Sequence, residues 1–351
     1  MITIVENTSS AALDAIRRLE ELAFGAGIAA IVQAAARLGI PDAIDDDPVA
    51  VDELAAVVSA DAHTLGRLMR ALSTHEVFTQ VSPGKYAHTD LSRLLRKDAE
   101  FGLVHLVLWI GAPWTWQAWQ RLDDAVRTGK SVIPDIFGKD FFTYLREDAP
   151  EAQEAFNKAM TQTSRLTSDK VAKAIDLTGV NVVADIAGGQ GNLLSTLLRL
   201  HPQVNGVLFE LEAVLPSADP SLRDGGELAD RATLVGGDCI REVPVRADLY
   251  ILKSLLDWPD VNSITTLRNI AESADPGARV LVVDNLVDAD VQEMKATTAK
   301  DLLLLLNVGG QMHTLRDFQD LFERANYSFG GIRSVPDTFP SLYLIEAIVP
   351  G

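Results

Sequence analysis

The segment that most constrains this 351-residue chain is Val183-Ala184-Asp185-Ile186-Ala187-Gly188-Gly189-Gln190-Gly191. An apolar run closes on three glycines, and a helical pattern over residues 192–200 follows at once. Glycines allow a tight turn and close backbone approach to a ligand, and the free N–H groups at a helix start favour negative charge. Glu210 stands nineteen residues after Gly191, at the end of the next strand candidate, where a carboxylate can accept both hydroxyls of a ribose. A dinucleotide site wants a third glycine at the position held here by Leu194. Asp185 ahead of the glycines suits a nucleoside that carries an amino acid. The alternative is a strand–turn–helix whose glycines serve only the turn.

The surrounding pattern alternates. Residues 182–187, 206–209, 232–235, 249–252 and 279–284 are short apolar strand candidates, separated by helical runs at 192–200, about 213–216, and 264–274. Such alternation implies a mostly parallel sheet with right-handed crossovers. A helix over 314–325 then precedes two β-like runs, 327–334 and 341–349, which predict a closing antiparallel hairpin. Gly236-Gly237-Asp238 puts Asp238 on the same carboxyl edge, where ligands of open α/β sheets bind. It could accept from an adenine amino group or serve only the turn.

Residues 8 to about 178 read as helical. Runs at 11–24, 27–38, 51–59 and 62–73 lead to β-like residues 77–80 and 85–88 around Ser82-Pro83-Gly84, a winged-helix order. Nucleic acid is not the expected partner: 31 Lys and Arg stand against 49 Asp and Glu, a net charge of −18. The same charge disfavours anionic lipid. The opening residues show no leader pattern, and no apolar run reaches the roughly 20 residues of a membrane span. One cysteine, Cys239, excludes an intrachain disulfide and suits a reducing cytosol, so the chain is expected to be cytoplasmic. Trp109, Trp114, Trp116 and Trp119 crowd one stretch, as a buried core or interface, as the wall of a pocket for a flat ring, or as both. The expected division is a helical dimerisation and substrate-lid domain over 1–165 and a Rossmann-like domain over 166–351. No His/Cys/Asp cluster has metal-ligand spacing, and no metal is expected.

The chain resembles the dimeric S-adenosylmethionine-dependent small-molecule O-methyltransferases of plants and bacterial natural-product pathways. The resemblance runs over nearly the whole length. It rests on Leu38-Gly39-Ile40-Pro41-Asp42, Val51-Asp52-Glu53-Leu54-Ala55, Phe142-Thr143-Tyr144-Leu145, Phe156-Asn157-Lys158-Ala159-Met160, the glycine loop, Gly206 to Leu211, Gly237-Asp238, the stretch from Leu252 to Asp260, and Gly309-Gly310-Gln311-Met312-His313-Thr314. It implies a class I methyltransferase fold, a small-molecule substrate and an obligate homodimer. It implies that Asp185, Gly188, Gly189, Gly191, Glu210, Asp238, Cys239, Lys253 and Ser164 hold S-adenosylmethionine. Cys239 stands where a bulky apolar residue is common. Phe156, Met160, Thr163, Leu256, Leu303 and Asn307, with His105 and Trp109 from the tryptophan region, are the expected substrate contacts.

The chain departs from the family where the chemistry is done. Members deprotonate a phenol with a histidine in an L-H-D-W-like stretch, but here Leu256 precedes Asp257, in a segment one residue short. Of the two carboxylates that orient such a histidine, Asp284 occupies one place and Met312 the other. Leucine cannot accept a proton. Methyl transfer by proximity alone, a substitute base with His313, beside Met312, as the nearest candidate and His105 as another, and a non-methylating hydroxylase- or pericyclase-like enzyme that uses the bound sulfonium electrostatically are the three readings that remain, with Asp284 and Asp257 as the other catalytic candidates. Proximity is the preferred one.

Overall fold

The computed structural model describes residues 10–350; residues 1–9 and Gly351 lie outside the described residues. The chain divides into two compact units at Pro113/Trp114.

The first unit is built on helices Ser10–Ala23, Gly25–Leu38, Val51–Val57 and Ala62–Thr74. Strands β1 (Val49–Ala50), β2 (Phe78–Ser82) and β3 (Lys85–His88) form an antiparallel sheet in the order β1-β3-β2. Local chemistry sets the boundaries. Gly39 ends the second helix in a left-handed turn at φ 69°, which costs glycine nothing. The Asp61 carboxylate accepts from Thr64 N–H at 2.8 Å and caps the fourth helix. Ile40, Ile44, Leu54, Met69, Leu72 and Phe78 close the core. Helix Ser10–Ala23 buries none of its side chains: Leu13, Ile16, Leu19 and Leu22, three residues apart, are 51–68% exposed. No single described helix is long and apolar enough to cross a membrane, although this helix and the next reach that length as a pair bent by 43°.

The second unit carries β4 (Val182–Ile186), β5 (Asn205–Glu210), β6 (Ala232–Gly236), β7 (Leu249–Lys253), β8 (Arg279–Asn285), β9 (Ser328–Val335) and β10 (Leu342–Ile348). Their order is β6-β5-β4-β7-β8-β10-β9, and β10 alone runs antiparallel to its neighbours. Both faces are apolar, as a sheet covered on two sides requires. Along β7, Leu249 and Ile251 pack on one face with Leu194, Leu198 and Val283, while Tyr250 and Leu252 pack on the other with Phe318 and Phe322. This is the expected parallel sheet with a closing hairpin.

Two expectations change. A boundary at 165/166 falls inside the continuous helix Pro150–Ala174. Residues 114–149 belong to the sheet-bearing unit because they bond to it: Val132 N–H donates to Leu306 C=O at 3.2 Å, and the Ser131 hydroxyl contacts the Leu306 and Asn307 carbonyls at 2.9 and 2.8 Å. The helical run at 213–216 is only a 3-10 turn, Leu215–Ser217, with a proline at its start. The apolar run 302–306 lies in a helix of fifteen residues, Met294–Val308, still shorter than a membrane span needs, so that expectation stands unchanged.

Candidate active site

The strands bring their carboxyl ends to one edge, and the chain places a polar residue at nearly every one. After β4 the backbone turns through Ala187, Gly189 and Gly191, all at positive φ (52°, 60° and 76°), into helix Asn192–Leu200. Gly188 is closely hemmed: a Cβ there would lie 2.5 Å from the Asp185 carboxyl and 2.7 Å from Leu208. A Cβ on Gly189 would meet nothing within 4 Å, so that side of the turn is open.

Glu210, at the end of β5, is buried and spends one oxygen on Gly189 N–H at 2.8 Å and the other on Leu211 N–H at 2.7 Å. Burial pushes its carboxyl up, and these two N–H donors pull it back in part. Asp185, inside β4, is buried with Oδ2 unpartnered. Burial raises its carboxyl to about 7, with Lys253 opposing and Glu210 adding. Lys253, at the end of β7, is pushed down by burial while Asp185 and Asp284 pull it up, and its ammonium lies 3.5 Å from the Ser164 hydroxyl. An orphaned carboxylate oxygen beside an open glycine turn, with a second carboxylate one strand away, fits a nucleoside bearing a cationic amino-acid tail. Asp238 turns back on its own loop and accepts from Ile240 N–H at 3.0 Å. Cys239 is buried, its thiol pushed up to about 11 by desolvation.

Helix Pro150–Ala174 faces the glycine loop. Asn192 donates to the Ser168 hydroxyl at 3.0 Å, and Thr161 donates to the Gln190 side chain at 2.9 Å. Gln190, Asn192, Thr161 and Ser168 escaped the sequence reading, since polar residues in a loop and on a helix give no signal until the two elements meet. On the same helix, Phe156 packs edge-on against Phe141 and Phe142 at 5.8 and 6.1 Å between centroids. The Thr163 hydroxyl bonds back to the Ala159 and Met160 carbonyls.

Leu256, just before Asp257, is fully buried, and its carbonyl accepts from His313 Nε2–H at 2.9 Å. A carbonyl only accepts, so Nε2 carries a proton, and Nδ1 is buried without a partner. The ring packs 5.0 Å from Phe318. Met312 is buried, and Leu303 and Asn307 lie buried on helix Met294–Val308. Asp257 and Asp284 come together as expected, with a residue that the sequence reading missed: the Lys300 ammonium lies 3.3 Å from Asp257 Oδ2 and 3.7 Å from Asp284 Oδ1. His105 and Trp109 belong to the first unit, and Trp114, Trp116 and Trp119 to the second. Among the described residues no group of three His, Cys, Asp or Glu side chains is arranged to hold a metal ion.

Comparison with known proteins gives three findings. Residues 119–328 match the O-methyltransferase domain family and residues 20–98 the O-methyltransferase dimerisation domain. The mitomycin biosynthesis 6-O-methyltransferase of Streptomyces lavendulae is 35% identical over 323 residues, covering 91% of each chain. Among solved structures, a mitomycin 7-O-methyltransferase superposes with a TM-score of 0.87 at 32% identity, covering 97% of this chain and 99% of that one. An O-methyltransferase of neocarzinostatin biosynthesis, solved with S-adenosyl-L-homocysteine and 1,4-dihydroxy-2-naphthoic acid, superposes at 0.76 with 27% identity, covering 92% and 95%.

Proposed function

The chain belongs to the S-adenosylmethionine-dependent O-methyltransferase family, and from that premise we propose that it methylates a small aromatic or enolic natural-product intermediate, chiefly by holding the acceptor in line with the methyl donor. The observation that carries this reading is the carboxyl edge itself: Asp185 with a free oxygen, the open turn at Gly189, and Glu210 one strand away. Asp185 and the Gly188–Gly191 turn would take the amino-acid part of S-adenosylmethionine, Glu210 the ribose hydroxyls, Asp238 and Cys239 the adenine edge. Lys253 and Ser164 would flank the methionine part. When bound, the cofactor would supply an electrophilic methyl group to the acceptor's nucleophilic atom.

The acceptor would lie against Phe156, Met160, Thr163, Leu303 and Asn307, with Leu256 behind. Alignment of two bound reactants supplies roughly 7–11 kcal/mol of a barrier, which suffices where the acceptor ionises readily. His313 supports this view, because its Nε2–H is spent on Leu256 C=O and its Nδ1 is buried. The exposed apolar face of helix Ser10–Ala23, at the edge of the dimerisation-domain match, is proposed as part of a homodimer interface. The helices and hairpin of the first unit are read as winged-helix-like without a nucleic-acid role, and the single buried thiol suits the cytoplasm.

Calorimetry with S-adenosylmethionine, followed by mass analysis of phenolic and enolic acceptors after incubation, tests the reading. Binding and a gain of one methyl group support it. No cofactor binding, or tight NAD binding, sinks it. Conversion of an acceptor with the cofactor left intact transfers support to the non-methylating alternative.

A further inference from the structure

Two carboxylates and a lysine meet where the family's base is missing. Asp257 follows β7 and Asp284 lies in the last turn of β8; the strands are parallel neighbours, so both acids reach the same edge. Helix Met294–Val308 crosses that edge and puts the Lys300 ammonium 3.3 Å from one and 3.7 Å from the other. The burial is lopsided. The Asp257 and Asp284 side chains are 8% and 0% exposed, whereas the lysine side chain is 37% exposed. An ammonium has three donors. Two carboxylates lie at ion-pair distance from it, and no other partner faces it among the described residues. Burial alone would depress this lysine, but Asp257 and Asp284 together hold it above its ordinary value. It is therefore held as an ammonium.

A buried ion cluster is a poor stability device, because desolvation consumes most of the Coulombic gain. A pinned and partly open cation is better suited to receiving an anion, and it lies on the β7–β8 side of the edge, next to the strands that carry the cofactor residues. We propose that Lys300, positioned by Asp257 and Asp284, binds the acceptor's nucleophilic oxygen as an oxyanion, and that the acceptors are acidic phenols or enols. This rests on the methyltransferase reading and adds to it the acceptor class and the residue that selects it.

The protons balance as follows. The acceptor hydroxyl gives its proton to the Asp257–Asp284 pair by way of the lysine, which passes one N–H proton to a carboxylate as it takes up the acceptor's, and so stays an ammonium. Asp284 is equipped to receive it: Oδ2 is buried without a donor, and burial together with the like charge of Asp257 pushes its carboxyl up, against the pull of Lys300. The charged groups facing Asp284 are Asp257, Lys300 and Lys253. After methylation the acceptor is a neutral ether, its hold on the ammonium is gone, and the pair returns the proton to water.

The test uses a series of nitrophenols of graded acidity with the protein loaded with S-adenosylhomocysteine, and reads their ionisation by visible absorbance. In the parent, a bound nitrophenol should ionise at least about tenfold more readily than in water, with Lys300→Met abolishing the effect and Lys300→Arg keeping most of it. In turnover, Lys300→Met should lose about a hundredfold in kcat/KM on the least acidic acceptors and less than about tenfold on the most acidic. Cofactor affinity, measured in parallel, certifies the fold of each variant, and Lys300→Arg carries the test if the methionine variant fails that check. Equal losses on all acceptors, or equal ionisation in parent and Lys300→Met, would overturn the proposal. A parent that ionises nitrophenols but methylates none of them refutes the methyltransferase reading and leaves the role of Lys300 standing.

Discussion

Replacing Asp185 by Asn removes one buried charge from the sheet edge and little else. The side chain is 2% exposed and its carboxyl is raised to about 7, chiefly by burial. A raised carboxylate keeps its proton in the folded chain after the unfolded chain has released it. Its contribution to stability is therefore complete below about pH 4 and is lost as pH climbs through 7. From an ordinary 3.8 the span is 7 − 3.8 = 3.2 pH units, which at about 1.36 kcal/mol each comes to about 4 kcal/mol. About 3 kcal/mol of this falls between pH 5 and pH 8. Asparagine has nothing to ionise, so Asp185→Asn should flatten that part of the profile. Urea denaturation at fixed protein concentration, repeated at pH 5, 6, 7 and 8, measures it: the variant should gain on the parent as pH rises. S-adenosylmethionine, whose ammonium would face the carboxylate, should stabilise the parent more at pH 8 than at pH 6 and the variant equally at both. Two stability curves that run parallel from pH 5 to pH 8 would refute the argument, because they would mean that Asp185 is ionised, or is not, in both states alike.

Glu210→Ala should weaken S-adenosylmethionine binding by roughly 1–3 kcal/mol in calorimetry, since it removes a charged acceptor of hydrogen bonds. His313→Gln should lower turnover by less than about tenfold; a loss of roughly 10²–10⁴ with affinities unchanged would make it the general base after all. Light scattering at micromolar concentration should give twice 38.0 kDa for the parent. Ile16→Asp together with Leu19→Asp, on the exposed helix, should shift that towards a single chain, and a dimer left intact by both would place the interface elsewhere.

Much of the cofactor half was legible in the chain, for a physical reason: its determinants are local. A turn at positive φ needs glycine, a helix start supplies N–H groups, and a carboxylate at the end of the next strand follows from strand and loop lengths. Val183 to Gly191, Glu210 and Asp238 could thus be singled out before any contact was known. That Leu256 and Met312 have no side chain able to accept a proton was equally plain, since this depends on residue type alone. Lys300 was not legible. It sits in a helix whose neighbouring apolar run, residues 302–306, reads as core, and a lone lysine there looks like any solvated charge. Its meaning comes from two acids far away in sequence, which reach it only because β7 and β8 are parallel neighbours ending at one edge. The same holds for His313, where only the fold reveals that Nε2 is spent on the Leu256 carbonyl, and for residues 114–149, whose helical pattern is silent on which core they join until Ser131 and Val132 bond to Leu306 and Asn307. The sequence by itself determined the strand–turn–helix frame, the carboxylates along its edge and the apolar residue at 256, because those depend on backbone freedom and side-chain type. Tertiary structure decided which charges touch, which are buried and which face outward, because burial and pairing are set by elements brought together across the sheet.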